Sequence, residues 1–332
     1  MRTSPSLTPD MELEKDFAFA PLPPINDSAQ APQAAPGQRP PGPNDVLGPL
    51  KELPGRWQGK GFNTIWRPNR VPGKPQQDFF LELNRTDETI QFDRIDGDIP
   101  NRGLLQPDIT MFGVHYLQQI KDGNNGAGLH IEPGLWVTVP QTTNPPVQPT
   151  VCRMASIPHG TTVLAQGIAV APESSGPKID KVDITPFPVG QPQNRLQNFK
   201  DAMNIAIPNE FRSPSLQRKG VTQEMVTDPN SVLTAAIHGQ NIVETTRLIV
   251  SSDSTDPVPG GGTSNTAFLK GSQAGGPNAD AANVTSSFWI EKVKGENGKP
   301  DFLQLQYTQT VLLNFNTLSW PHVTVATLRK VA

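Results

Sequence analysis

The chain has 332 residues, 36 of them proline and 28 glycine, with 35 % hydrophobic and 18 % charged residues. Proline removes a backbone donor and breaks long helices, so this load excludes a helix bundle or coiled coil. A net charge of −3 and a pI near 6.0 exclude a global basic field for nucleic acid or anionic lipid, and the single cysteine, Cys152, excludes an intrachain disulfide framework.

In chain order, residues 1–44 read as a proline-rich extended or disordered arm: PLPP (21–24) and AQAPQAAPGQRPPGP (29–43) cannot bury a core. Phe17, Ala18 and Phe19 are its obvious anchors, and the arm could drape over a second copy of the chain. No apolar stretch follows Arg2 and no run of 18 apolar residues occurs, so neither a secretory signal nor a spanning helix is expected, and a cytoplasmic location is. Residues 45–331 read as one β domain. GRWQGKGFNTIWRP (55–68) sets glycines around a tryptophan; DFFLELNRTDETIQFDRI (78–95) reads as strand, polar turn at Asn84 to Thr86, strand. ITMFGVHYLQQIKDGNN (109–125), GLHIEPGLWVTVP (128–140) and TVCRMASIPHGTTVLAQGIAV (150–170) continue the strand series. In HIEPGLW, Glu132 and Pro133 mark a bulge or bend. Residues 171–229 break the rhythm as a mixed insertion, with one strand expected at 178–187. DPNSVLTAAIHGQNI (228–242) has the proline and glycine placement of a short helix, and a strand follows at 242–252. The tail is a meander over 283–293, 302–315 and 322–331. Sequential antiparallel strands close most simply into an up-and-down barrel, here of about eight to ten strands, whose interior can hold one small ligand.

Three stretches in this order are similar to the nitrobindin-like family of haem-binding barrels, which are calycin-like: GRWQGKGFNTI (55–65), HIEPGLWVTV (130–139) with ASIPHGTTVLAQG (155–167), and the closing hairpin from LQYTQTVLLNF to HVTVATLRKV (305–331). The resemblance covers about 47–170 and 242–331; the arm and the insertion lie outside it. It implies haem b held through one protein histidine, with His322 as the iron ligand. It also implies His130 near the other haem face as the catalytic candidate, and Thr64 near the haem. Met154, Ile157, His159, Leu313 and Phe315 are further pocket candidates, Leu313 and Phe315 on one face of their strand by alternation. His130 could instead pair with Glu132, and His159 could be a turn residue. Trp57 is expected to close the barrel base under Arg329 or Lys330. The expected chemistry is reaction with peroxide, nitric oxide or peroxynitrite, as a weak peroxidase or peroxynitrite isomerase. A haem-free carrier of an apolar molecule such as a fatty acid is the alternative. A haem-dependent enzyme with a pocket shaped by the insertion is another, and a homodimer through the arm or insertion is a further expectation.

Overall fold

The computed structural model describes residues 44–70, 77–253, 258–296 and 298–331; the expected arm, with Phe17 and Phe19, lies outside them. Ten long strands follow in chain order: β1 (Gly55–Asn69), β2 (Gln77–Arg94), β3 (Ile109–Asp122), β4 (Gly128–Val139), β5 (Thr150–Ile157), β6 (Thr161–Glu173), β7 (Ile242–Ser251), β8 (Asp280–Val293), β9 (Phe302–Phe315) and β10 (Leu318–Val331). Each pairs antiparallel with the next, and β1 pairs with β10 from Arg56 opposite Val331 to Thr64 opposite Val323, closing an up-and-down barrel. A closed sheet leaves no edge exposed. Among the described residues no helix is long and apolar enough to cross a membrane.

Alternation sets the two faces. On β1 the odd-numbered residues from Trp57 point inward and Phe62, Thr64 and Trp66 point outward. Gly59 faces in where β10 coils closest: a Cβ there would lie 2.0 Å from the Thr327 carbonyl oxygen. One end of the barrel is plugged. A 3₁₀ helix, Asp45–Leu50, delivers Leu47 and Leu50, joined by Leu53, to a core with Trp57, Ile90, Phe92, Trp136, Phe288 and Leu328. Trp57 donates its indole N–H to the Leu53 carbonyl at 2.7 Å. Of the two cations expected over Trp57, Lys330 takes the place, 5.4 Å from the ring centroid; Arg329 instead lies 3.5 Å over Phe302.

Several local expectations are corrected. Residues 78–95 are one strand, not strand–turn–strand: Asn84 pairs with Asn63, and Thr86 with Gly61 and Asp122. Asn84, Thr86 and Glu88 are polar because they face the barrel interior, not because the chain turns there. The irregularity expected at Glu132 and Pro133 falls between Ile120 and Lys121 opposite His130 and Gly128; Pro133 itself pairs in register with Leu117. The last strand starts at Leu318 rather than His322, because Asn316 and Thr317 (φ 48° and 62°) make a two-residue hairpin turn with positive φ at both positions. Residues 178–187 are not a strand; only Phe187–Pro188 pairs, against β10.

The excursion between β6 and β7, residues 174–241, includes the expected short helix, Ser231–Ile237. It lies on the outside of the barrel wall. Ile184, Phe199, Val226 and Leu233 form a second core with the outward residues Phe62, Trp66, Leu81, Val323 and Val325. Trp66 donates to the Ile184 carbonyl at 2.8 Å, and Trp320 packs against Phe199 with ring centroids 5.0 Å apart.

Candidate functional site

At the end away from the plug, the inward residues leave a cavity of about 390 Å³, within the range of small-molecule sites. Its walls carry the aliphatic side chains of Ile65, Ile120, Ile157, Val284, Val311 and Leu313, together with the Arg67–Glu82 ion pair. Three histidines reach it: His322 from β10, His130 from β4 and His159 from the β5–β6 turn. The expected pocket residues Ile157, His159, Leu313, His130 and His322 are therefore brought together.

Thr64, Met154 and Phe315 do not line it. Thr64 neighbours the inward Asn63, so the strand pleat turns it outward, where its hydroxyl donates to the Val323 carbonyl at 3.4 Å. Met154 lies between the inward Arg153 and Ala155 and shares the other face with Cys152. Phe315 sits at the strand end and stacks on Trp320, centroids 4.6 Å apart and planes 3° from parallel, which draws it into the outer core. Burial pushes the Cys152 thiol up to about 11, as suits an inert buried thiol.

His322 stands opposite Val311 on β9, and its ring Nε2 lies 3.0 Å from the Asn63 amide nitrogen. That amide also donates to the Thr324 hydroxyl at 2.7 Å, while the Asn63 Oδ1 has no partner. Burial, with His130 and His159 adding to it, pushes His322 down to about 3. The imidazole is thus neutral at physiological pH, and its one lone pair, on Nε2, accepts from the Asn63 amide.

His130 is held from below. Its Nε2 lies 3.2 Å from Glu132 Oε2, so the alternative pairing read from the sequence is made, and its ring stacks on His159 at 5.5 Å. Burial, and next the His130 charge, lower His159. Glu132 is fully buried and also accepts from Arg153 and from the Tyr116 hydroxyl. Burial pushes its carboxyl up, but the Arg153 guanidinium and the His130 and Tyr116 hydrogen bonds outweigh this and hold it down at about 2. Arg153 further donates to Ser286 at 3.0 Å and to Gln309.

The floor of the cavity is polar and was missed in the sequence. Gln118, Tyr307 and Gln309 line it, with Glu88 beneath. Polar residues in an alternating strand read as a solvent face; the one available signal was that Glu88, Gln118 and Tyr307 share the parity of neighbouring apolar residues Ile90, Ile120 and Leu305.

A pH dependence follows for the ligand-free chain. His322 falls from its ordinary 6.5 to about 3 on folding, so the unfolded state binds the extra proton and stability rises with pH across that interval. Stability is fully present above 6.5 and drains away as the pH falls towards 3. Urea midpoints of the wild type should therefore decline on acidification through this window more steeply than those of His322→Gln; parallel profiles would contradict it.

Fold and site together define a closed ten-stranded antiparallel barrel, plugged at one end and carrying a ligand-sized cavity at the other. No protein-family model matches the chain, and no curated protein matches it. Solved structures with a similar chain path include Rv2717c from M. tuberculosis, at 13 % identity and a TM-score of 0.39, the match covering 88 % of this chain and 99 % of that one.

Proposed function

We propose that the protein binds haem b in this cavity through His322 as the single axial ligand and reacts with small oxidants or diatomics. The observation that carries the reading is a neutral imidazole facing a ligand-sized chamber with aliphatic side chains on its walls. Among the described residues no three His, Cys, Asp or Glu side chains are grouped to hold a metal ion. A bare ion would be poorly held, whereas iron already bound at its equator by a porphyrin needs one protein donor.

The residues fit that group in donor type and wall polarity. Ile65, Ile157, Val311 and Leu313 would offer apolar contact to a porphyrin. Asn63 meets Nε2 of His322, so this contact must be released if Nε2 is the ligand; the Asn63 amide keeps Thr324 as acceptor and is not orphaned. Haem iron supplies redox and diatomic-binding chemistry. His130, fixed by Glu132, is placed to hold a hydrogen bond or a proton beside a small ligand in the chamber. No residue of 174–241 lines the cavity, so the insertion acts on the outer wall.

A second reading, a carrier of an apolar molecule such as a fatty acid, draws on the same aliphatic side chains. Incubation with hemin discriminates the two. The haem reading expects a red-brown protein with a Soret band and one hemin per chain. A colourless protein that instead takes up a fluorescent fatty acid would favour the carrier.

A further inference from the structure

The cavity floor contains a buried acid that the iron reading does not use. Glu88 on β2 is 2 % exposed, and no ion pair holds it among the described residues. Facing it are Thr86 on its own strand, Gln118 on β3, Tyr307 on β9 and, through space, His130 on β4; Glu132 and Arg153 beyond are paired with each other. Glu88 Oε1 accepts from the Thr86 hydroxyl at 2.7 Å, and Oε2 lies 2.5 Å from the Tyr307 oxygen. Gln118 donates to that same phenol oxygen at 2.8 Å and also reaches Glu88 Oε2 at 3.4 Å.

One proton lies between Tyr307 and Glu88, and its owner decides what the cavity sees. If Glu88 is ionised, the phenol donates to it and the floor offers no tyrosine proton. If Glu88 is protonated, the carboxyl and Gln118 both donate to the phenol oxygen, which fills its two lone pairs. The phenolic proton then has no acceptor in this cluster, and the open side of Tyr307 is the cavity it lines. Burial with no cation partner favours the protonated acid, raising the Glu88 carboxyl against the hydrogen bonds from Thr86, Tyr307 and Gln118. Phe288, stacked on the Tyr307 ring at 5.2 Å, fixes the ring plane.

We propose that Tyr307 is the hydrogen-bond donor of the cavity, its proton turned to the ligand because Glu88 and Gln118 both donate to its oxygen. The floor is then uncharged, and it favours a ligand that presents an acceptor oxygen towards β9. This deepens the ligand-binding reading above but needs only the cavity, not the iron.

The chain has two tyrosines, Tyr116 and Tyr307, so ultraviolet resonance Raman spectra of the full chain without added ligand isolate Tyr307 by difference from Tyr307→Phe. The intensity ratio of the tyrosine Fermi doublet separates a phenol oxygen that accepts from one that donates. An acceptor-type ratio is expected at neutral pH, shifting to donor type as alkali ionises Glu88. Glu88→Gln, whose amide donates to the same oxygen, should hold the acceptor type throughout; compared directly with wild type, it carries the test if Tyr307→Phe does not fold. A donor-type ratio at neutral pH overturns the inference. In a second arm, the hemin-loaded protein is reduced and given carbon monoxide. The C–O stretch should shift to higher frequency in Tyr307→Phe and stay put in Glu88→Gln; an unmoved stretch in Tyr307→Phe overturns donation to the ligand. If hemin is not taken up, the iron reading falls and the Raman ratio alone decides this one.

Discussion

His322→Ala is expected to abolish the imidazole-ligated Soret band of the hemin-loaded protein and to weaken hemin binding at least tenfold, about 1.4 kcal/mol. The loss should be specific to the metal bond. The ring faces a cavity and not a packed core, so its truncation enlarges a chamber that is already present. A desolvated imidazole also leaves the fold, so the ligand-free variant should melt no lower than the wild type. Free imidazole added to the variant should restore the band by taking the vacated position. An unchanged band and affinity in His322→Ala would remove the ligand assignment, and with it the main support for iron in this barrel.

Arg153→Met is expected to lower stability by about 3–5 kcal/mol, because it strands a buried carboxylate without its cation. Glu132 is fully buried and Arg153 is 2 % exposed, so neither charge can turn to water. Glu132→Leu alone should cost a similar amount by stranding the guanidinium. The double variant Glu132→Leu/Arg153→Met should recover most of the loss, since a buried pair replaced by apolar groups of similar volume is often neutral. Urea midpoints of the three variants measure this. A single Arg153→Met with an unmoved midpoint would contradict the account. The same series reports on the site, because Glu132 also holds His130: the double variant frees that ring while leaving the wall packed.

Much of the architecture was legible because a barrel strand shows its two faces in a period of two. The meander at the end of the chain, the β4 to β6 series and the helix at Ser231–Ile237 follow from alternation and capping residues. So does the grouping of Ile157 with Leu313. Counting by twos from the buried Trp57 would also have turned Thr64 outward, a signal present in the sequence and not used. Phe315 escaped the same count because a strand end is free to twist, and its ring follows Trp320. The polar interior was hidden for a physical reason. Glu88, Gln118 and Tyr307 meet one another across three strands, and no one strand shows that its polar residue has a partner elsewhere. Asn84 to Thr86 was read as a turn for the same cause. Phe62, Trp66, Val323 and Val325 were the available signal for the cover over the outer wall: they are apolar on the face turned away from the cavity, where a solvent-facing barrel strand would be polar.

The excursion at 174–241 sits on the join where β1 meets β10, the strands nearest the two ends of the barrel sequence. Closing that join is the most sequence-distant strand pairing among the described residues, and distant pairings form slowly. The covering segment therefore works as a rivet across a seam. Trimming it to imitate a shorter barrel would bare Phe62, Trp66, Val323 and Val325 side by side, so the shortened chain should clump or self-associate before any change in its ligand chemistry could be read.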